Sequence, residues 1–341
     1  MSRKLASLSV VATLMAGTTM ADVPNVVADI APVHSLVARV MDGVGTPDLI
    51  LPPGASPHEY SLRPSEAAAL QNADIVVWMG SDLAPWMEDA VETLAGNAGH
   101  LTLLEAEGTN LLELREGALF EEHDHGHEDH GHDHAEDEDD REGEHDHEDH
   151  AEHDHEGHDD HEDHAHHDHG HGAHDAHAWL SPTNAATWLN LIAADLSSAD
   201  PDNAGTYFAN AAAAREELAA LTAEVNTILE PVRNGSFITF HDAFQYFETD
   251  FDFPASGAIS LSDAADPSPA RIAEIRDRVQ NEGIDCVLAE PQFNEGLVTT
   301  VLGGTEANTA VIDPIGVDLE PGSTLYPQLI RNIAKTLAGC L

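Results

Sequence analysis

The chain has 341 residues and a formal net charge of −50, set by 63 Asp and Glu against 13 Lys and Arg. That length accommodates two domains of ordinary size. So large a negative charge excludes nucleic acid as a partner, because two polyanions repel, and it favours cations, metal ions above all. Residues 1–21 are expected to be a secretory signal peptide: Arg3 and Lys4, an apolar run from Leu5 to Met15, and small residues before a cut near Ala21 and Asp22. A buried first helix is the alternative. The run is too short to span a bilayer, and no cysteine lies near the cut to carry a lipid, so a soluble exported protein is expected. In an oxidising compartment the two cysteines, Cys286 and Cys340, are more often a disulfide than two buried thiols.

In chain order, Val26 to Ile30 reads as a strand and Ser35 to Met41 as a helix that stops at Gly43. A second strand, Asp48 to Leu51, runs into the loop Pro52 to Tyr60. Its three prolines make it stiff and able to hold a ligand at little ordering cost. A helix after Pro64, a strand Asp74 to Met79, a helix Leu83 to Leu94 and a strand Leu101 to Leu104 follow. Strands alternating with helices predict a mainly parallel sheet flanked by helices, an N-terminal α/β lobe over 22–200.

That lobe is interrupted at about 120–175 by a tract that carries nineteen of the 24 histidines among acidic residues and supplies about half of the net charge. It shows no hydrophobic period with which to fold onto a core. His177 is a histidine of another kind. Trp179 and Leu180 give it apolar anchors, and Ser181-Pro182 is an N-cap followed by a proline at the first helical position. A helix from Pro182 to Ser197 follows. A longer one, residues 201–232, is the rigid spine expected to join two lobes.

The second lobe, 233–341, repeats the alternation. Strands are expected at Ser236 to Phe240, ending at His241, at Ala255 to Ser260, at Ile284 to Ala289, and at Thr309 to Ile312, ending on Asp313. Helices fall at Ala243 to Glu248 and near 268–281, 295–302 and 323–338. In open α/β sheets ligands bind beyond the carboxyl ends of strands; His58, His241 and Asp313 fall at such ends and His177 immediately precedes a helix, so all four are placed to line one cleft. Three imidazoles with one carboxylate or water form a nitrogen-rich set suited to Zn(II). His34 is expected to cap or pack its helix, and His100 to be exposed.

Four stretches, Gly54-Ala55-Ser56-Pro57-His58-Glu59-Tyr60, Asp175-Ala176-His177-Ala178-Trp179-Leu180-Ser181-Pro182, Phe240-His241-Asp242-Ala243-Phe244 and Val311-Ile312-Asp313-Pro314-Ile315-Gly316, resemble the successive metal-site motifs of the zinc-binding periplasmic proteins of ABC importers, the ZnuA type. The resemblance implies two α/β lobes joined by a long helix, zinc held by His58, His177 and His241, and a disulfide between Cys286 and Cys340. Manganese-binding relatives tend to carry a carboxylate where His241 stands. Pro57 occupies the place of a possible glutamate ligand, which leaves Asp313 or water for the fourth position. The resemblance further implies delivery of the ion to a membrane permease driven by an ATPase. No phosphate-binding glycine loop occurs in this chain, so energy must come from those partners. A monomer is expected.

The tract offers repeated triplets such as His145-Asp146-His147 and His153-Asp154-His155, with His164, His166, His169 and His171 beyond them. These are read as weaker metal sites of a scavenger, buffer or sensor, against the plainer reading of a solvated acidic linker. Two other functions remain at this stage: a manganese or nickel carrier of the same architecture, and a zinc hydrolase with an open fourth position. The hydrolase lacks a His-Glu-x-x-His run, and only Glu59, Asp242 or Glu290 offers a general base, with Glu290 expected to anchor its loop.

Overall fold

The computed structural model describes residues 23–115, 120, 174–260, 267–293 and 295–341. The signal peptide over 1–21 and the metal sites expected at His145, His147, His153, His155, His164, His166, His169 and His171 lie outside the described residues.

Two four-stranded parallel sheets repeat one topology. The first consists of β1 (Val26–Ala28), β2 (Asp48–Leu49), β3 (Ile75–Trp78) and β4 (Gly99–Thr102) in the order β2-β1-β3-β4. Its register pairs Val27 with Asp48, Val26 with Ile75, and Ile75 with Gly99. The two central strands are continuous apolar runs, as parallel strands covered on both faces must be. Their side chains alternate accordingly. Val26, Ala28, Ile75 and Val77 pack with α1 (Ala31–Val40) in the main core, while Val27, Val76 and Trp78 meet α2 (Pro64–Gln71) and α3 (Pro85–Leu94) through Leu70, Met87 and Val91.

α1 begins four residues before its expected start. Pro32 occupies its first turn, where a missing N–H costs nothing. β4 sits two residues earlier than expected, because pairing with β3 begins at Gly99 and leaves Leu103 and Leu104 to pack in the turn beyond it.

Two helices follow the tract. α4 (Pro182–Ala199) is capped by the Ser181 hydroxyl, which accepts from Asn184 N at 3.0 Å. The expected spine resolves into a short 3-10 turn at Pro201–Asn203, α5 (Ala204–Leu229) and a second 3-10 turn at Glu230–Val232. The 26 residues of α5 span about 39 Å. Its buried stripe, Tyr207, Ala211, Ala214, Leu218, Leu221, Val225 and Leu229, keeps the three-to-four spacing of one helix face.

The second sheet consists of β5 (Phe237–His241), β6 (Ala258–Ser260), β7 (Cys286–Ala289) and β8 (Asn308–Val311), again parallel, in the order β6-β5-β7-β8. α6 (Gln245–Phe251), α7 (Pro269–Glu282), α8 (Glu295–Leu302) and α9 (Leu325–Cys340) complete this lobe. Ile238, Phe240, Val287 and Ala289 face α7 and α8, while Phe237, Cys286 and Leu288 face the core shared with α5 and α9. Cys286 and Cys340 form the disulfide, tying the first residue of β7 to the last of α9.

One buried core therefore runs from α1 and β1 through α4 and α5 to α9 and Phe237. Polar ties cross it: Trp179 Nε1 donates to Pro314 O at 2.8 Å, and Tyr326 Oη donates to Trp179 O at 2.9 Å. Asp250 of α6 accepts from Ser181 Oγ (2.8 Å) and from Thr183 N (3.0 Å), so one lobe caps the helix of the other. Among the described residues no helix is long and apolar enough to cross a membrane.

Candidate metal centre

His177 is held by its own neighbour. One oxygen of Asp175 accepts from His177 N at 2.9 Å and from His177 Nδ1 at 2.7 Å. With Nδ1 donating to a carboxylate, the lone pair of Nε2 is left for a cation. The 3-10 turn Ala178–Leu180 follows at once, with Trp179 buried against the ring, and the Ser181 cap then starts α4.

His241 is the last residue of β5 and repeats the device across the sheet. Glu290, just past β7, uses one oxygen to accept from His241 N at 3.1 Å and from His241 Nδ1 at 2.7 Å. β5 and β7 are neighbours, and the strand order reverses between them, which is where open α/β sheets leave a crevice. Phe293 meets the edge of the His241 ring.

His58 reaches the site from the loop after β2. Its backbone N–H donates to Ser56 Oγ at 3.2 Å, and Trp86 Nε1 donates to Pro57 O at 2.7 Å, so α3 pins the residue next to it. Tyr60 packs edge-on against Trp86 and donates to the Glu66 carboxylate at 2.9 Å. Gly54 of this proline-rich loop adopts φ +84, a conformation that a side chain would strain.

The three Nε2 atoms converge. His58 and His177 place them 3.3 Å apart, and His177 and His241 3.4 Å apart. Two nitrogens each about 2.05 Å from one zinc ion at the tetrahedral angle lie about 3.3 Å apart, so the spacing matches one edge of that polyhedron. Among the described residues this is the group of donor side chains able to share an ion. The cavity between the rings has a volume of about 20 Å³, walled by Pro57, Trp179, Phe293, Pro314 and Ile315, which is room for one ion or one water. His177 and His241 are buried and His58 is half-buried, so the donors stand in a largely dry, apolar shell.

Asp313 is not brought into this group. Its carboxylate accepts from the backbone N–H groups of Ile315 (3.0 Å), Gly316 (2.9 Å) and Val317 (2.6 Å). Those bonds occupy it in folding the turn that presents Pro314 and Ile315 to the cavity. His34 Nε2 lies 3.0 Å from Pro47 O inside α1, and burial lowers its pKa. His100 lies on β4, with Nε2 2.9 Å from Ala95 O. Neither belongs to the cluster.

Sequence reasoning names Glu290 only as a loop anchor or a general base and gives Asp175 no role of its own; the structure sets each against a histidine ring. Asp175 had a local signal, since a carboxylate two residues before a histidine reaches both its N–H and its ring. Glu290 lies 49 residues from His241, and its only signal was its position just beyond a strand neighbouring that of His241. Tyr246 also joins the two lobes here: its hydroxyl donates to Asp175 O at 2.8 Å and accepts from Leu112 N at 3.0 Å. Burial pushes this hydroxyl up to about 12, which keeps the donated proton in place.

Comparison with known proteins agrees with this fold. The family model described as zinc-uptake complex component A, periplasmic (ZnuA), matches residues 26–340. The high-affinity zinc uptake system protein ZnuA of Brucella abortus (strain 2308) is 47% identical over 317 residues, covering 93% of this chain and 91% of that one. The protein of the same name from Paracoccus denitrificans (strain Pd 1222) is 44% identical over 322 residues, covering 94% and 93%. A crystal structure of ZnuA superposes with a TM-score of 0.69 at 21% identity, covering 94% of this chain and 99% of that chain, which supports the architecture alone. With a family model spanning nearly all of the described chain and relatives this similar along their length, the protein belongs to the ZnuA family of periplasmic zinc-uptake components.

Proposed function

We propose that the protein captures one Zn(II) ion in the periplasm with His58, His177 and His241 and delivers it to an inner-membrane ABC permease and its ATPase. The observation that carries this reading is the convergence of three Nε2 atoms, two of them on rings whose Nδ1 is held by a carboxylate. Carboxylate-backed imidazoles are strong, correctly oriented donors, and an all-nitrogen set prefers zinc over the oxygen-seeking manganese. Water occupies the fourth position in this reading, since Asp313 is engaged by the backbone of its own turn. The three imidazoles close on a cavity of about 20 Å³, which suits enclosure of a single ion.

Residues 1–21 direct export in this proposal, and the mature chain acts as a monomer. The histidine-rich tract binds further ions more weakly and supplies the site, because a segment without a core must be ordered each time it wraps an ion. Zinc stoichiometry of the full chain and of a variant lacking residues 121–171 tests both parts. One tight ion is expected in each protein, with the weaker ions confined to the full chain. Loss of the tight ion on deletion would overturn the three-histidine site.

A further inference from the structure

His177 and His241 come from opposite lobes, and beside the direct bond from Tyr246 to Asp175 a second set of contacts between them converges on Arg115. Its Nε donates to Asp242 Oδ2 at 3.1 Å and its Nη2 to Asp242 Oδ1; its Nη1 donates to Glu248 Oε2 at 2.8 Å, and Nη2 also to Glu248 Oε1 at 3.1 Å. Asp242 directly follows His241, and Glu248 lies on α6. The aromatic ring of Phe120 covers the guanidinium, with its centroid 3.6 Å from Cζ. On the other side, the segment that ends in Arg115 is stitched to the residues before His177. Asp175 N donates to Leu112 O at 2.8 Å, Glu113 pairs with His174 in an antiparallel bridge, and Tyr246 Oη joins Leu112 N to Asp175 O. A closed circuit of contacts thus runs from His241 through Asp242, Arg115 and the 112–115 segment to Asp175 and His177.

We propose that Arg115 is a positioning residue for metal capture: it clamps the segment paired with the residues before His177 onto the carboxylates beside His241 and so sets the separation of the two imidazoles. The role rests on the three-histidine reading above. A planar fork that grips two carboxylates fixes direction as well as distance, which the point charge of a lysine does not. Asp242 and Glu248 are nearly buried, at 8% and 5% side-chain exposure, so without the guanidinium they would repel each other beside the site. The same circuit couples residues 112–115 and 174–175 to both histidines without bringing them into the lining of the cavity.

The test compares four full-length proteins: wild type, Arg115→Lys, the charge-neutral triple variant Arg115→Met/Asp242→Asn/Glu248→Gln, and His241→Ala. Three quantities are read: zinc affinity by competition with a chelating dye, the melting temperature of the metal-free protein, and the visible spectrum with one equivalent of Co(II), whose band intensity reports coordination geometry. The triple variant and Arg115→Lys are expected to fold, to bind zinc about ten- to a hundredfold more weakly, as loss of a supporting contact around a metal ligand does, and to show an altered Co(II) spectrum. Wild-type affinity in both, or weaker binding with an unchanged spectrum, would overturn the positioning role. Failure of both to fold would overturn it too, by making Arg115 a folding residue. Zinc binding by His241→Ala at wild-type strength would instead overturn the three-histidine reading itself.

Discussion

At the scale of single residues, the recurring device is one carboxylate oxygen accepting both the backbone and the ring N–H of one histidine. Asp175 does this for His177 and Glu290 for His241. Two bonds to one oxygen leave the ring no freedom to rotate, and the nearby negative charge makes Nε2 a better donor. Replacing Asp175 or Glu290 by alanine is therefore expected to weaken zinc binding by about ten- to a hundredfold while all three histidines remain, and dye competition measures it. An unchanged affinity would mean that packing alone aims the rings. The histidines themselves were legible in the sequence, because His58 stands in a stiff loop, His177 before a capped helix and His241 at a strand end. Asp313 met the same strand-end criterion and does not join them. Sequence position cannot show that a turn's own amides will take a carboxylate. Glu290 was read as a loop anchor, since only the pairing of β5 with β7 brings it to His241.

Among the elements, the ends of the central strands carry buried carboxylates in both sheets. Where Glu290 serves the second sheet, Asp29 follows β1 in the first, accepting from Ile30 N at 2.7 Å and from Met79 N, just beyond β3, at 2.8 Å. It is fully enclosed, and burial pushes its pKa up from 3.8 to about 7, overriding those amide bonds. Between these two values the folded protein holds a proton that the unfolded chain has released, so this group makes stability fall as pH rises from about 4 to about 7 and level off above that. From pH 5 to pH 8 its share of the fall is on the order of 2–3 kcal/mol. The substitution Asp29→Asn is expected to remove that share. Urea unfolding of the metal-free protein at both pH values checks this, and an equal fall in variant and wild type would refute it. Asp29 itself could be read only as the end of a strand. The elements were otherwise legible wherever an apolar run or a proline at a first helical turn marked them. Their ends moved where pairing partners decided, as at β4, or where 3-10 turns replaced the ends of the expected spine.

For the whole molecule, the question raised by the proposed site is how an ion held by the three imidazoles would leave. A hinge between the lobes would have to shear one continuous core in which Tyr207, Leu218 and Val225 of α5 pack with α1, α4 and α9. The same motion would break the Trp179 to Pro314 and Tyr326 to Trp179 bonds, both buried. Interiors packed at crystal-like density resist such sliding, and the polar groups it would unpair cost further free energy. The enclosing loops offer less resistance. His58 is half-buried on a segment that follows only a two-residue strand, and the Pro57 to Trp86 bond is a principal tie to the body of its lobe. Release is therefore expected to proceed by movement of the 52–60 loop over a fixed frame. Hydrogen exchange with and without one equivalent of zinc should show protection gained in residues 52–60 and little change along α5. Solution scattering of the protein lacking residues 121–171 should give the same radius of gyration in both states. A contraction on zinc binding, with protection spread through α5, would show instead that the lobes close as rigid bodies and that the shared core yields.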